Sequence, residues 1–500
     1  MEITAVKIFV SVIIAIYTIA LSFIFFYSLA QLHLVYQYLF KKKNLKAAQF
    51  EDNIKQEHFP FVSVQLPIYN EKLVASRLID AIAKLDYPTN KLEIQVLDDS
   101  TDETFDIIAE RVSYWKNKGF DILHIHRTDR SGFKAGALAH SLQIAKGEFI
   151  AIFDADFLPE KDFLLKTIPC FFNPEIGMVQ TRWEHINKNY SLLTQMQAFG
   201  LDGHFVVEQS GRNISNSFIN FNGTAGVWRK KCIEDSGNWN FDTLTEDLDL
   251  SYRAQMKGWK FKYLEDVTAP AELPPVMSAL KSQQYRWTKG GAETARKHFW
   301  NVMKLKMPLK TRFHAIFHLL NNLVFIAVIS SAIVSVPLVY FKNRFSYLDD
   351  IVNYASIFIL SFLAIGALYF VSNLKNEKSI SKALGKFMIK FPLFLAISMG
   401  LSLHNAIAVA QGYIGKKTPF IRTPKFNITQ EHKLISKSNY VLSSINLITI
   451  LEGLLVLYFS FGLAMAAYFG EYSLMPFLFM LCLGFALVFY YSLFNEKFKS

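Results

Sequence analysis

The run Phe149-Ile-Ala-Ile-Phe-Asp-Ala-Asp156 decides the fold. Its five apolar residues show no polar alternation, as expected of a strand covered on both faces. It ends in two aspartates two positions apart. Alternate strand residues share a face, so Asp154 and Asp156 point the same way. Upstream, Phe61-Val-Ser-Val-Gln-Leu66, Ile94-Gln-Val-Leu97 and Ile122-Leu-His-Ile-His126 read as three further strands. Helical patterns fill the gaps at Leu73–Leu85, Phe105–Asn117 and Lys134–Lys146. Strands alternating with helices predict an α/β domain with a mostly parallel sheet, spanning about residues 49–310. Ligands bind such sheets beyond the carboxyl ends of the strands. A second acidic pair, Asp98-Asp99, stands at such an end.

Membrane-length apolar runs flank this domain. Val6–Leu32 is too long for a signal-peptide core and reads as a transmembrane helix. Lys41-Lys42-Lys43 follows it and places that side in the cytoplasm. Ala315–Phe341, Ile351–Val371, Val441–Phe469 and Leu474–Phe494 read as four more spans within a membrane region of residues 313–496. Phe391–Gly412 carries His404, Asn405 and Gln411. If it crossed, the basic stretch Lys416–Lys437 would lie outside, so positive-inside logic makes 391–412 an interfacial or re-entrant segment. The same logic accounts for the net charge of +11 and leaves nucleic acid out as a partner. The chain is 51% hydrophobic and 15% aromatic, which fits an integral membrane protein. Cys170, Cys232 and Cys482 form no metal or disulfide spacing and suit a reducing compartment.

Two carboxylates on one face, Asp154 and Asp156, suit a hard divalent ion that also binds substrate phosphates, such as Mg²⁺ or Mn²⁺. Asp98 and Asp99 suit the base or ribose of a nucleotide. Aspartate at strand ends is also ordinary turn chemistry, but two such pairs in one fold favour function. Thr245-Glu246-Asp247 opens a helix. Its acids read equally as N-terminal helix stabilisers or as a general base at Asp247. Lys134-Ala-Gly136 starts another helix and suits the approach of a diphosphate, or packing alone. In Gln283-Gln-Tyr-Arg-Trp287, Arg286 offers a planar fork for phosphate and Trp287 a flat face for a sugar ring. The same residues also suit an interfacial anchor near 283–300, and the two readings are compatible.

In this order the motifs resemble the processive family 2 glycosyltransferases: cellulose, hyaluronan and chitin synthases and the plant cellulose-synthase-like mannan and glucan synthases. The resemblance spans residues 61–287. Phe221-Asn-Gly-Thr-Ala-Gly-Val-Trp-Arg229 looks especially like the plant type. It implies a GT-A (Rossmann-like) cytosolic domain inserted between transmembrane helices. It further implies nucleotide contact by Asp98 or Asp99 with Lys134 nearby, and Asp154 and Asp156 at the diphosphate and its Mg²⁺ or Mn²⁺. Asp247, beside Glu246, becomes the base, and Gln283, Arg286 and Trp287 bind diphosphate and acceptor. The family has a cytosolic gating loop, which Lys417–Lys425 resembles. Its usual Phe-x-Val-Thr-x-Lys appears here as Phe420, Thr423 and Lys425, with Arg422 in the valine position.

The expected function is a membrane-embedded, inverting transferase. It would pass sugar from a nucleotide sugar, UDP-glucose first and GDP-mannose next, to a growing β-glycan and translocate it. The expected location is a bacterial inner membrane, with the catalytic domain cytosolic. Single transfer to a lipid acceptor is the alternative, and a transporter with a nucleotide-binding domain is a remote third reading. The sequence names no accessory subunit.

Overall fold

The computed structural model describes residues 2–42, 59–345, 359–375, 377, 379–428 and 446–494. After helix α1 (Glu2–Lys41) come β1 (Val62–Ile68), α2 (Ala75–Ala83), β2 (Leu92–Asp98) and α3 (Thr104–Asn117). Then follow β3 (Asp121–His126), α4 (Phe133–Leu142) and β4 (Phe149–Ile152), all strand-helix alternation as the sequence predicts. The second half runs α5 (Phe163–Thr167), β5 (Ile176–His185), α6 (Leu192–Asp202), α7 (Gln209–Ile214), β6 (Gly226–Arg229) and α8 (Lys230–Asp235). It ends with α9 (Glu246–Met256), β7 (Lys260–Ala271) and α10 (Met277–Lys304).

The seven strands make one sheet in the order β3-β2-β1-β4-β6-β5-β7. The first four are parallel, and β6 lies antiparallel between β4 and β5. This is a mixed α/β sheet of GT-A type flanked by apolar helices. Two apolar cores cover it. One packs α2 and α3 on Val64, Leu66 and Val96, and the other packs α4 and α8 on Ile150, Ile152 and Trp228. Polar residues inside β1 and β2 pair across the strands. Ser63 Oγ donates to Glu93 Oε2 at 2.5 Å, and Gln65 Nε2 to Gln95 Oε1 at 3.0 Å. Burying them unpaired would cost about 1–3 kcal/mol each. The sheet is thus rigid where its strands deliver Asp98, Asp99, Asp154 and Asp156.

Five described helices are long and apolar enough to cross a membrane: Ala5–Lys41, Leu323–Arg344, Ile380–Gly400, Leu447–Phe469 and Met475–Phe494. Three of them coincide with the expected spans Val6–Leu32, Val441–Phe469 and Leu474–Phe494, and the middle region differs. The expected run Ala315–Phe341 is broken. Its start belongs to α11 (Leu309–Leu319), and α12 (Leu323–Arg344) begins after a turn. Of the expected 351–371 only 359–371 lies in the described residues, inside the 17-residue helix Ile359–Lys375. The segment 391–412, expected in the interface, is two helices. Ile380–Gly400 has membrane length, and Ser402–Ile414 follows a break at Leu401. Lys382, Lys386 and Lys390 hid the start of the first. They recur every four residues, so they line one helix face, and Lys386 is met by Glu377 at 2.5 Å. The stretch 416–428 crosses the domain without helix or strand. Residues 429–437 of the expected gating loop lie outside the described residues.

Helix α10 is the element that joins the two parts. Its glycines let it approach closely. A Cβ on Gly290 would stand 2.6 Å from Thr245 Cγ2 and 2.8 Å from Thr245 N. The motif Thr245-Glu246-Asp247 therefore rests directly on the helix that carries Gln283, Arg286 and Trp287.

Candidate active site

The carboxyl ends of β1, β2 and β4 open into a cavity of about 200 Å³. Asp99, Lys134, Asp154, Asp156, Glu246, Asp247, Gln283, Arg286, Trp287, Thr423 and Lys425 all line it. These residues come from elements spread over more than 300 positions of sequence. Asp98 is absent from the lining. Strand alternation turns it to the opposite face from Asp99, where it is fully buried against His124 and His126.

Charge in the cavity is arranged in opposed layers. Lys134, at the start of α4, donates to Asp154 Oδ1 at 2.5 Å and to the carbonyl of Gly223 at 2.8 Å. Burial works against its charge, but Asp154, Glu246 and Asp247 outweigh burial and hold its pKa above the usual lysine value. Gly223 has a φ of +81°, and a Cβ there would stand 3.0 Å from Asp247 Oδ2. That turn therefore needs glycine to leave room at the carboxylate.

Asp247 accepts a hydrogen bond from the N–H of Leu248 at 2.8 Å. Burial, reinforced by the neighbouring Glu246, pushes its pKa up to about 7. Burial likewise raises Glu246, against the pull of Lys134. A carboxyl poised near neutrality in a cleft is suited to proton transfer. Arg286 is held by Thr423 Oγ1 at 2.8 Å and lies over the Phe420 ring at 4.9 Å. Its Nε is buried without a partner, as are Trp183 Nε1 and His185 Nε2 on the same cavity wall. Three unpaired N–H or ring-nitrogen groups facing one cavity are costly unless something polar enters.

The loop 416–428 closes the cavity from outside. Lys425 Nζ meets Asp156 Oδ2 at 2.8 Å, and the same oxygen accepts from Glu272 N at 3.2 Å. Arg422, in the position the sequence left unexplained, meets Glu71 at 2.7 Å. Phe420 stacks on Phe133 at 5.4 Å, and Lys289 of α10 donates to Thr418. A second cavity of about 310 Å³ lies beside the first, towards the apolar helices. Trp183, Trp287 and Asp247 line both, and Tyr27, Asn322 and Phe325 line the second.

Residues 60–290 match the model of the glycosyltransferase like family 2. These residues are a family 2 glycosyltransferase domain. The chain is similar to the probable glucomannan 4-beta-mannosyltransferase 2 of Oryza sativa subsp. japonica, with 44% identity over 265 residues, 52% of this chain and 46% of the relative. It is also similar to glucomannan 4-beta-mannosyltransferase 7 of Arabidopsis thaliana, 39% identical over 298 residues, 57% of this chain and 54% of the relative. The chain spans about half the length of these curated relatives. Among solved structures, the mannosyltransferase PcManGT of Pyrobaculum calidifontis, in complex with GDP-Man and Mn2+, superposes with a TM-score of 0.54 at 19% identity. It covers 80% of this chain and 100% of that one, and shows that the fold is shared.

The family 2 domain holds further residues that line the cavity or back its wall and that the sequence does not single out. Arg127 grips Asp99 through two bonds, Nε to Oδ1 at 2.8 Å and a terminal nitrogen to Oδ2 at 2.6 Å. Arg130 stacks on Tyr69, 3.3 Å from the ring centre. The spacing Arg127, Arg130, Lys134 was a visible basic run leading into α4. Glu71, Trp183, His185 and Glu272 carried no comparable signal, because nothing in their neighbours marks them as cavity-facing.

Proposed function

We propose that the chain is a membrane-embedded hexosyltransferase that extends a β-glycan from a nucleotide sugar. The arrangement that carries this reading is Asp247 beside Glu246 and Lys134, facing Arg286 and Trp287 across one cavity. GDP-mannose is the favoured donor, with UDP-glucose second, because the curated relatives are glucomannan 4-beta-mannosyltransferases.

Asp154 and Asp156 fit a divalent ion. They line one cavity, and the cations now on them are lysine ammoniums, which stand where a metal would satisfy the same oxygens. Mg²⁺ or Mn²⁺ held by these two carboxylates would neutralise the donor diphosphate as it leaves. Arg286, with its free Nε, and Lys134 face the same negative charge. Asp247 takes the proton of the acceptor hydroxyl while that oxygen bonds to the anomeric carbon. The bond to the diphosphate oxygen breaks on the opposite side, so configuration inverts. Trp287 offers its face to the acceptor sugar. Asp99, positioned by Arg127, and Tyr69 with Arg130 lie where the nucleoside would sit.

The cavity is smaller than the ~300–1,000 Å³ usual for ligand sites. With 416–428 in place it is too small for a nucleotide sugar, so we assign this stretch as a gate that opens for the donor. The second cavity, reached past Trp287, supports passage of the glycan towards the spans. The relatives are plant proteins, so the bacterial location expected from the sequence gives way to a coarser reading. In that reading the chain is an integral membrane protein with its catalytic domain on the cytosolic side.

The test is incubation of the full chain in nanodiscs with labelled GDP-mannose or UDP-glucose and Mn²⁺ or Mg²⁺. A β-linked polymer from GDP-mannose is expected. A product carrying one sugar on a lipid would overturn the polymerase reading, and no transfer from any sugar nucleotide would overturn the activity itself.

A further inference from the structure

The two histidines of β3 and the buried aspartate of β2 have no place in the donor cavity. Three features of the sheet bring them together. His124 and His126 stand two apart on one strand, so they share a face. Asp98 is the register partner of His126 across the parallel β2–β3 ladder, which puts its side chain on that same face. β3 is the edge strand of the sheet with β2 beside it, and the ring of Phe105 from α3 packs on the face, 5.1 Å from His124 and 4.8 Å from His126.

The ligand geometry is specific. Asp98 Oδ2 lies 2.8 Å from His124 Nε2 and 3.6 Å from His126 Nδ1, and the three atoms all lie within 4.8 Å of one another. Three ligands at about 2.0–2.1 Å from a tetrahedral ion sit roughly 3.3 Å apart, so small side-chain shifts seat one. Asp98 is rigidly held: its other oxygen accepts from Ser100 N at 2.8 Å. His126 is one-third exposed, which leaves an entry path. Two imidazoles and one carboxylate suit a borderline ion of the Zn²⁺ class, whereas hard Mg²⁺ prefers all-oxygen sites.

We propose that Asp98, His124 and His126 form a second metal site, for a divalent first-row transition ion, separate from the Asp154–Asp156 face. Through Ser100, whose Oγ accepts from Asn70 N at 2.9 Å, the site braces the turns after β1 and β2 that border the donor cavity.

The experiment is a Co²⁺ titration of the chelator-stripped full chain in detergent, read by visible d–d absorption. One equivalent with a four- or five-coordinate spectrum is expected, displaced by Zn²⁺. In His126→Gln, at the exposed ligand, affinity should fall by more than about tenfold. His124→Gln, with folding checked by circular dichroism, should lose the spectrum. Asp154→Asn should keep it. Absence of Co²⁺ binding, or binding unchanged in both histidine variants, would overturn the site. So would loss of the spectrum in Asp154→Asn, because the ion would then belong to the other carboxylates.

Discussion

Lys425 Nζ stands 2.8 Å from Asp156 Oδ2, although 269 residues separate them. The loop thus places an ammonium on a carboxylate that a divalent ion would use. Lys425 is mostly buried, and Asp156 with Glu71 and Glu272 outweighs the burial that opposes its charge. Ammonium and metal then compete for one oxygen. Lys425→Met is expected to lower the Mn²⁺ concentration that half-saturates nucleotide binding, by up to about tenfold, equivalent to about 1.4 kcal/mol. The same variant should lower kcat, because the loop 416–428 loses an anchor on Asp156. A calorimetric titration with Mn²⁺ and nucleoside diphosphate checks the first part. An unchanged half-saturation would show that Lys425 and the metal do not compete.

Asp247 carries a pH prediction. Its folded pKa of about 7 lies well above the ordinary aspartate value of about 3.9. Between those two pH values the folded state binds the extra proton, so stability falls as pH rises through the window. Asp247→Asn removes that dependence. Its Tm should exceed wild type by a margin that grows from about pH 4 to about pH 7 and then levels off. Transfer should be almost abolished in this variant, and wild-type transfer should climb with pH through the region near 7. Glu246→Gln removes the neighbouring negative charge and should move that acid limb to lower pH. Appreciable transfer by Asp247→Asn would remove Asp247 from the role of base.

The Arg422–Glu71 pair predicts how the loop 416–428 responds to pH. Burial pushes Glu71 up to about 7 even though Arg422 pulls it down. Without the guanidinium its pKa rises further. At pH 6 Glu71 is largely protonated with or without Arg422, so the variant Arg422→Val differs little, but at pH 8 the variant must either protonate it against the solution or bury its charge without that partner. Breaking such a pair costs about 3–5 kcal/mol when the charge must remain. Proteolytic cutting within 416–428 should therefore be accelerated at least about tenfold at pH 8 and little at pH 6. Equal acceleration at both pH values would mean that the pair is not what holds the loop.

How much of this was legible follows from range of interaction. The strands at 61–66, 94–97, 122–126 and 149–153 were visible because a parallel sheet writes continuous apolar runs into local sequence. The acidic pairs were visible because they end those runs. Asp98 and Asp99 were treated alike, yet adjacent strand residues face opposite sides, and only Asp99 reaches the cavity. The His124-x-His126 spacing was equally readable, but its meaning needed the β2–β3 register. Glu71, Trp183 and Glu272 meet the cavity only through tertiary packing. The start of the helix Ile380–Gly400 is hard to read in the sequence because three lysines on one face lower its hydropathy while most of its other residues are apolar.

Lys281 and Glu452 test whether the apolar helices position the candidate site residues Arg286 and Trp287. Lys281 Nζ, on α10 two residues before Gln283, donates to Glu452 Oε2 at 2.7 Å and to Ser492 Oγ at 2.8 Å. Glu452 belongs to the apolar helix Leu447–Phe469 and is fully buried, and Lys281 is nearly so. A bond this deep fixes the rotation of α10, and with it the direction of Arg286 and Trp287. Glu452→Ala leaves an uncompensated buried ammonium, at a cost of about 3–5 kcal/mol. It should lower both thermal stability in detergent and kcat. The double variant Lys281→Met, Glu452→Leu removes both charges and should regain most of the stability. If α10 is positioned by the pair itself, the double variant will remain slow in transfer although it is stable. Recovery of kcat together with stability would show instead that packing of the apolar faces alone orients the helix.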